Sequence, residues 1–128
     1  MHYINMENPF IRLLKSFAYA LQGLAFLLRT QPNARVHLLA ALLACGAGVY
    51  FGLSRAEWLW IAAAITLVWS AEAFNTALEQ LADALHPDRH SAIGRAKDMA
   101  AAAVLIAAAG AAVIGMLVFV PHLASMGW

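Results

Sequence analysis

The chain has 128 residues, of which 63% are hydrophobic and 12% charged, with a formal net charge of +1 and one cysteine, Cys45. A soluble domain is typically about 45–50% apolar and about 25% charged, so the composition points to lipid as the surrounding solvent. It excludes an internal disulfide, and it offers no basic cluster of the kind nucleic-acid binding needs. At this length one domain, residues 1–128, is expected.

The first 30 residues carry charges at helical spacing rather than one uninterrupted apolar stretch, so no secretory signal is expected. Over residues 9–29, Arg12, Lys15, Tyr19, Gln22 and Arg29 recur on one side, with Leu13, Leu14, Phe17, Leu21, Leu24 and Leu28 opposite. This pattern predicts an amphipathic helix lying in the membrane interface; a fourth, partly inserted span is the competing reading. Residues 36–53 are almost wholly apolar apart from His37 at the entry, and Cys45 within them is expected to be a small core or lipid-facing residue. Leu53-Ser54-Arg55 supplies a turn and an N-cap, opening a second segment over 56–85. A third runs over 96–120 to Pro121 and is dense in alanine and glycine, which permit close approach between membrane helices. Each of the three is near or above the roughly 20 residues needed to cross a bilayer. The expected fold is therefore all-α integral membrane, three transmembrane helices plus an N-terminal surface helix. So thin a bundle calls for an oligomer.

Orientation follows from the basic residues. Arg12, Lys15, Arg29 and Arg35 precede the first span, and Arg89, Arg95 and Lys97 lie between the second and third, leaving only Arg55 on the other side. The positive-inside rule puts the N-terminus and the 86–97 loop in the cytoplasm and the C-terminus outside.

Glu72, Asn75, Glu79 and Asp83 interrupt the second apolar segment at spacings of 3, 4 and 4. At about 100° per residue they share an arc of roughly 80°, flanked by Trp58, Trp60, Ile61, Ile65, Trp69 and Phe74. Carboxylates in such a setting are costly; they face a bundle interior or polar cavity and mark function. The loop from His86 to Asp98 adds Asp88, Arg89, His90, Gly94, Arg95 and Lys97 at the start of the third span. Acids able to hold a divalent cation, beside cations able to neutralise phosphates, are the components of phosphoryl transfer, and a buried carboxylate can act as general base. Proton relays and ion paths use the same residue types, and His86 with His90 is a weaker candidate for a transition metal. His2 and His122, near the termini, are expected to be inert. No Walker-type loop or protein-kinase signature is present, so a kinase here needs another architecture.

The run Glu72-Ala-Phe-Asn75-Thr76-Ala77-Leu-Glu79-Gln-Leu-Ala-Asp83, followed by Gly94-Arg95-Ala96-Lys97-Asp98-Met99, resembles the prokaryotic diacylglycerol kinase family, which includes small membrane diacylglycerol and undecaprenol kinases. The likeness extends from about Arg12 to Val120 and includes Tyr19, Gly23-Leu24 and Arg35-Val36-His37-Leu38. It implies a multi-pass protein of the bacterial inner membrane, a homotrimer with active sites shared between subunits. The implied reaction moves the γ-phosphate of MgATP to a lipid hydroxyl.

By resemblance Glu72 is the general base, supported by Asn75, and Glu79 helps hold Mg²⁺. Arg12, Tyr19, Glu79, Asp88, Arg89, His90, Lys97 and Asp98 contact the nucleotide, and Arg12, Glu72 and Arg35 the lipid; Asp83 and Arg95 have structural or unassigned roles. Gln31 stands where many relatives carry a second metal-binding glutamate, so one anion fewer and weaker Mg²⁺ affinity are expected. The Gly94–Met99 motif resembles the diacylglycerol-using branch, which makes phosphatidic acid. Arg35-Val36-His37-Leu38 resembles the undecaprenol-using branch, which makes undecaprenyl phosphate. The alternative of another class is a non-catalytic membrane assembly or ion-relay protein.

Overall fold

The computed structural model describes residues 8–127, among which the fold is four helices and no strand: α1 (Pro9–Thr30), α2 (Pro32–Phe51), α3 (Arg55–Leu85) and α4 (Ser91–Ala124). His2 lies outside the described residues.

Local chemistry fixes each boundary. The Asn8 side chain accepts from Phe10 N–H at 2.9 Å, and Pro9 occupies the first turn, where a missing N–H costs nothing. Pro32 disfavours helical backbone at Gln31, so the chain breaks there for one residue and restarts as α2. Arg35 braces that elbow from the first turn of α2: its Nε donates to Leu28 O at 2.9 Å and its Nη2 to Arg29 O at 2.6 Å, satisfying carbonyls that the end of α1 leaves open. Gly52, at φ 66°, ends α2 in the left-handed region that a side chain would resist, and Leu53 N–H donates back to Gly48 O at 3.1 Å. Ser54 and Glu57 form a reciprocal capping box at the start of α3.

Two boundaries differ from the sequence expectation. The first apolar helix begins at Pro32 rather than 36 and stops at Phe51, because proline opens a helix as readily as it closes one and Gly52 takes the αL position. The last begins at Ser91 rather than 96 and runs through Pro121 to Ala124. A proline near a helix end removes one hydrogen bond, and here the final turn is tied to α3: His122 Nε2 lies 2.7 Å from Glu57 Oε2. His122, expected to be inert, is thus a structural tie, and its ring also packs 5.6 Å from that of Phe51.

α3 packs most extensively against α4, with α2 and α1 also laid against α3. Leu53, Ile61 and Val118 form the buried core where the α2–α3 turn meets the end of α4, with Trp58, Phe51 and Phe119 around them. Gly48 allows the closest approach: a Cβ there would lie 2.5 Å from the Trp58 ring. Cys45 is a half-buried free thiol. Elsewhere large apolar side chains such as Val49, Phe74, Leu105 and Ile106 are left exposed, far beyond what a water-soluble monomer tolerates.

All four helices are long and apolar enough to cross a membrane. α1 meets that criterion as the others do, although it is the most amphipathic of the four.

Candidate active site

Glu72 sits in the middle of α3 with 1% of its surface exposed, and it is the largest fully buried side chain among the described residues. A carboxylate so placed is expected to be paired. Instead Glu72 Oε2 has no hydrogen-bond partner, and nor do Asn75 Oδ1 and Thr76 Oγ1 one turn further on. His37 Nε2 on α2 lies 3.6 Å from Oε2, beyond hydrogen-bond range. Each buried group left unsatisfied costs about 1–3 kcal/mol. Such a cluster is sustained where a ligand supplies the missing partners.

Thr76 lines a separate pocket between α3 and α1, whereas Glu72 and Asn75 line a cavity of about 320 Å³ together with Asn33 and His37 of α2 and Ala101, Val104 and Ala108 of α4. A second cavity of about 310 Å³ shares His37 and Ala108 with it and continues between the same helices as an apolar slot walled by Ala40, Ala44, Ala64, Ala111 and Gly115. Small residues keep the slot open; a side chain of leucine size at any of them would fill part of it.

One turn beyond Asn75 stands Glu79, half-buried, whose Oε1 accepts from Asn75 Nδ2 at 3.5 Å. This long bond leaves Glu79 capacity for another partner. Mg²⁺ takes one or two protein carboxylates and completes its shell with water and phosphate oxygens. Glu79 with the orphaned Asn75 Oδ1 fits that demand when a nucleotide supplies the rest. Among the described residues no three His, Cys, Asp or Glu side chains converge as a self-sufficient metal cluster. Gln31 is the hinge residue between α1 and α2, and its Nε2 donates to Thr30 Oγ1 at 3.3 Å.

The polar end of the bundle holds a third cavity, of about 650 Å³, lined by Asp83, His86, Asp88, Arg89, His90, Gly94, Lys97 and Asp98 among others. The start of α4 thus brings together every residue that the sequence assigned to the loop except Arg95, which is exposed outside the lining. Lys97 Nζ donates to Asp83 Oδ1 at 2.8 Å, clamping the end of α3 to the first turns of α4. His90 caps α4 by accepting Ile93 N–H at 3.4 Å, and its ring lies 5.4 Å from that of His86. Anionic groups are favoured at such a helix N-terminus.

The remaining assignments are not gathered by one chain. Arg12 and Tyr19 project from the exposed N-terminal part of α1, while the Gly23–Leu27 part packs against Ala73, Thr76 and Ala77 of α3. Arg35 is occupied in bracing the α1–α2 elbow. The loop cavity and the Glu72 cavity share no lining residue. His37 and Asn33 had no assigned role, yet both line the buried cavity; the signal was their spacing of four, which puts both on one face of α2.

A buried carboxylate on α3, a second acid one turn past Asn75 and a basic loop at a helix N-terminus are residue types that phosphoryl transfer uses. The profile of the family described as Prokaryotic diacylglycerol kinase matches residues 18–119, and the chain belongs to that family: it is a lipid kinase. It is 36% identical to the undecaprenol kinase of Bacillus subtilis over 91% of this chain and 95% of that one. It is also 35% identical to a diacylglycerol kinase of Synechocystis over 89% of this chain and 66% of that one. A further relative is the diacylglycerol kinase of Escherichia coli, 31% identical over 80% of this chain and 84% of that one.

Proposed function

We propose that the protein transfers the γ-phosphate of MgATP to the hydroxyl of a lipid alcohol at the cytoplasmic face of the inner membrane, with diacylglycerol as acceptor and phosphatidic acid as product. The observation that carries the reading is the buried, unpartnered Glu72 carboxylate beside an open cavity. A lipid hydroxyl entering that cavity finds Glu72 as its only acidic neighbour among the lining residues. Glu72 takes the hydroxyl proton as the oxygen bonds to the γ-phosphorus and the bond to the ADP oxygen breaks. Asn75 holds Glu79 and offers its own carbonyl oxygen to the same region. Glu79 and Asn75, with Gln31 from the hinge, would hold Mg²⁺, which when bound would supply positive charge to neutralise the phosphates. Lys97, Arg89, His90, Asp88 and Asp98 border the nucleotide in the loop cavity, and Arg12 and Tyr19 reach it from a surface helix.

Because the loop cavity and the Glu72 cavity are separate within one chain, shared sites in a homotrimer are part of the proposal: a neighbour's loop brings phosphate to Glu72. The exposed apolar faces of α2 and α4 supply the area such a trimer needs. In that assembly α1 lies in the interface, α2 to α4 span the bilayer, the N-terminus is cytoplasmic and the C-terminus outside.

Undecaprenol is the second reading of the acceptor. Two observations favour it: the full-length likeness to the Bacillus subtilis undecaprenol kinase, and the apolar slot that leads from His37 between helices, a shape suited to one chain. Purified protein in mixed micelles with labelled ATP and each lipid in turn tests both. Label in phosphatidic acid alone supports the first reading and label in undecaprenyl phosphate alone the second. No label in either lipid removes the proposal, and Glu72→Gln that still transfers phosphate removes the base assignment.

A further inference from the structure

We propose that His37 is the proton exit for Glu72: it takes the proton abstracted from the lipid hydroxyl and releases it toward the N-terminal end of α2. This inference rests on the general-base reading of Glu72. A carboxylate that is 2% exposed has little surface of its own through which to return a captured proton once lipid fills the cavity. His37 Nε2 lies 3.6 Å from Glu72 Oε2, while the His37 side chain is 19% exposed. The imidazole therefore spans the distance between the sealed carboxylate and an open surface. Asn33, one turn closer to the start of α2, lines the same cavity and continues the polar track toward the membrane edge. Of the other wall residues, Val36, Ala101, Val104, Leu105 and Ala108 are apolar and Asn75 carries an amide that does not titrate, so Glu72 and His37 are the only titratable groups among the residues that line the cavity.

The step balances simply. As the lipid O–H bond breaks, its proton bonds to Glu72 while the lipid oxygen bonds to phosphorus and ADP leaves. The protonated carboxyl then donates to a bare Nε2 of His37, which becomes imidazolium; loss of the Nδ1 proton to water leaves the Nε2–H tautomer, and proton exchange with water or a flip of the ring restores the bare Nε2. An imidazole can accept a proton at one ring nitrogen and donate one from the other. The 3.6 Å separation needs to shorten by about 0.7–0.9 Å to make a charge-assisted hydrogen bond; such contacts are often long in the absence of substrate.

His37→Gln and His37→Ala test the relay in mixed micelles, with the thermal midpoint of each variant measured in the same detergent. Glutamine keeps a hydrogen bond but cannot carry a proton, and it retains the fold if the smaller alanine does not. Both variants are expected to lose about tenfold or more in kcat with KM for ATP and lipid within about twofold of wild type. Added imidazole is expected to restore kcat of His37→Ala several-fold, leaving wild type and Glu72→Gln unchanged. A His37→Gln variant with wild-type kcat overturns the relay, as does a loss in His37→Ala that imidazole does not relieve. Wild-type protein that phosphorylates neither lipid refutes the kinase reading itself; an active wild type, an inactive Glu72→Gln and unaffected His37 variants refute the relay alone.

Discussion

Lys97 lies with its Nζ 2.8 Å from Asp83 Oδ1, a contact that closes the corner between the two longest helices at the mouth of the polar cavity. Both side chains are substantially exposed, 35% for Lys97 and 62% for Asp83, so solvent screens the pair and it contributes little to stability. Lys97 can therefore exchange Asp83 for a phosphate at small cost. Lys97→Met should raise KM for ATP on the order of tenfold or more through loss of a charge-assisted hydrogen bond to phosphate. Asp83→Asn should move it by about fivefold or less. Steady-state kinetics against ATP concentration distinguishes them, and equal effects would mean that the pair, not the phosphate contact, is what Lys97 provides.

At the opposite end of the bundle Glu57 serves two partners. One oxygen closes the α3 capping box and the other lies 2.7 Å from His122 Nε2. A double-mutant cycle of Glu57→Gln and His122→Ala should give a favourable coupling between the two side chains. Unfolding in detergent micelles measures it; additive losses would show that the contact carries no net energy.

Gly48 cannot accept a side chain without moving Trp58, since its Cβ would stand 2.5 Å from one ring carbon and 2.9 Å from another. Gly48→Ala should lower stability by about 1–3 kcal/mol, the usual cost of overpacking. The Gly48→Ala, Trp58→Leu double variant should lose less than the sum of the two single changes. Strict additivity would place the strain elsewhere.

Glu72 is expected to oppose stability while supporting catalysis. Its buried Oε2 has no hydrogen-bond partner, so Glu72→Gln, which removes the charge and keeps the shape, should stabilise the fold by about 1–3 kcal/mol while abolishing phosphate transfer. Thermal melts run beside the kinase assay check the pairing of effects. A variant that is both inactive and destabilised would recast Glu72 as structural.

Gln31 stands at the α1–α2 hinge with a neutral oxygen. Gln31→Glu adds an anion and should lower the Mg²⁺ concentration for half-maximal activity several-fold. An unchanged Mg²⁺ dependence would remove Gln31 from the metal site.

Much of the architecture is written in local chemistry. The stripe from Glu72 to Asp83 and the capping run at Ser54 need only helical periodicity and one hydrogen-bonding side chain to be read, and both stand in the folded chain as the sequence implies. The proline signals were harder to read: Pro32 opens a helix and Pro121 fails to close one, because a proline's effect depends on what secures the adjoining turn. For Pro121 that tie is His122 to Glu57, 65 residues apart. α1 shows a different limit, since an apolar face may meet lipid or protein and composition does not tell which.

What the sequence determined by itself is the set of helices, the membrane as solvent and the chemistry of the stripe, because periodicity, hydropathy and side-chain type act over a few residues. Only the tertiary structure decided that Glu72 is sealed while Asp83 is open, that Lys97 answers Asp83, and that His37 comes to stand beside the buried carboxylate. Those relations depend on how α2, α3 and α4 rotate and press together, and that is set by the sum of many small contacts, such as Gly48 against Trp58, that no short window of residues contains.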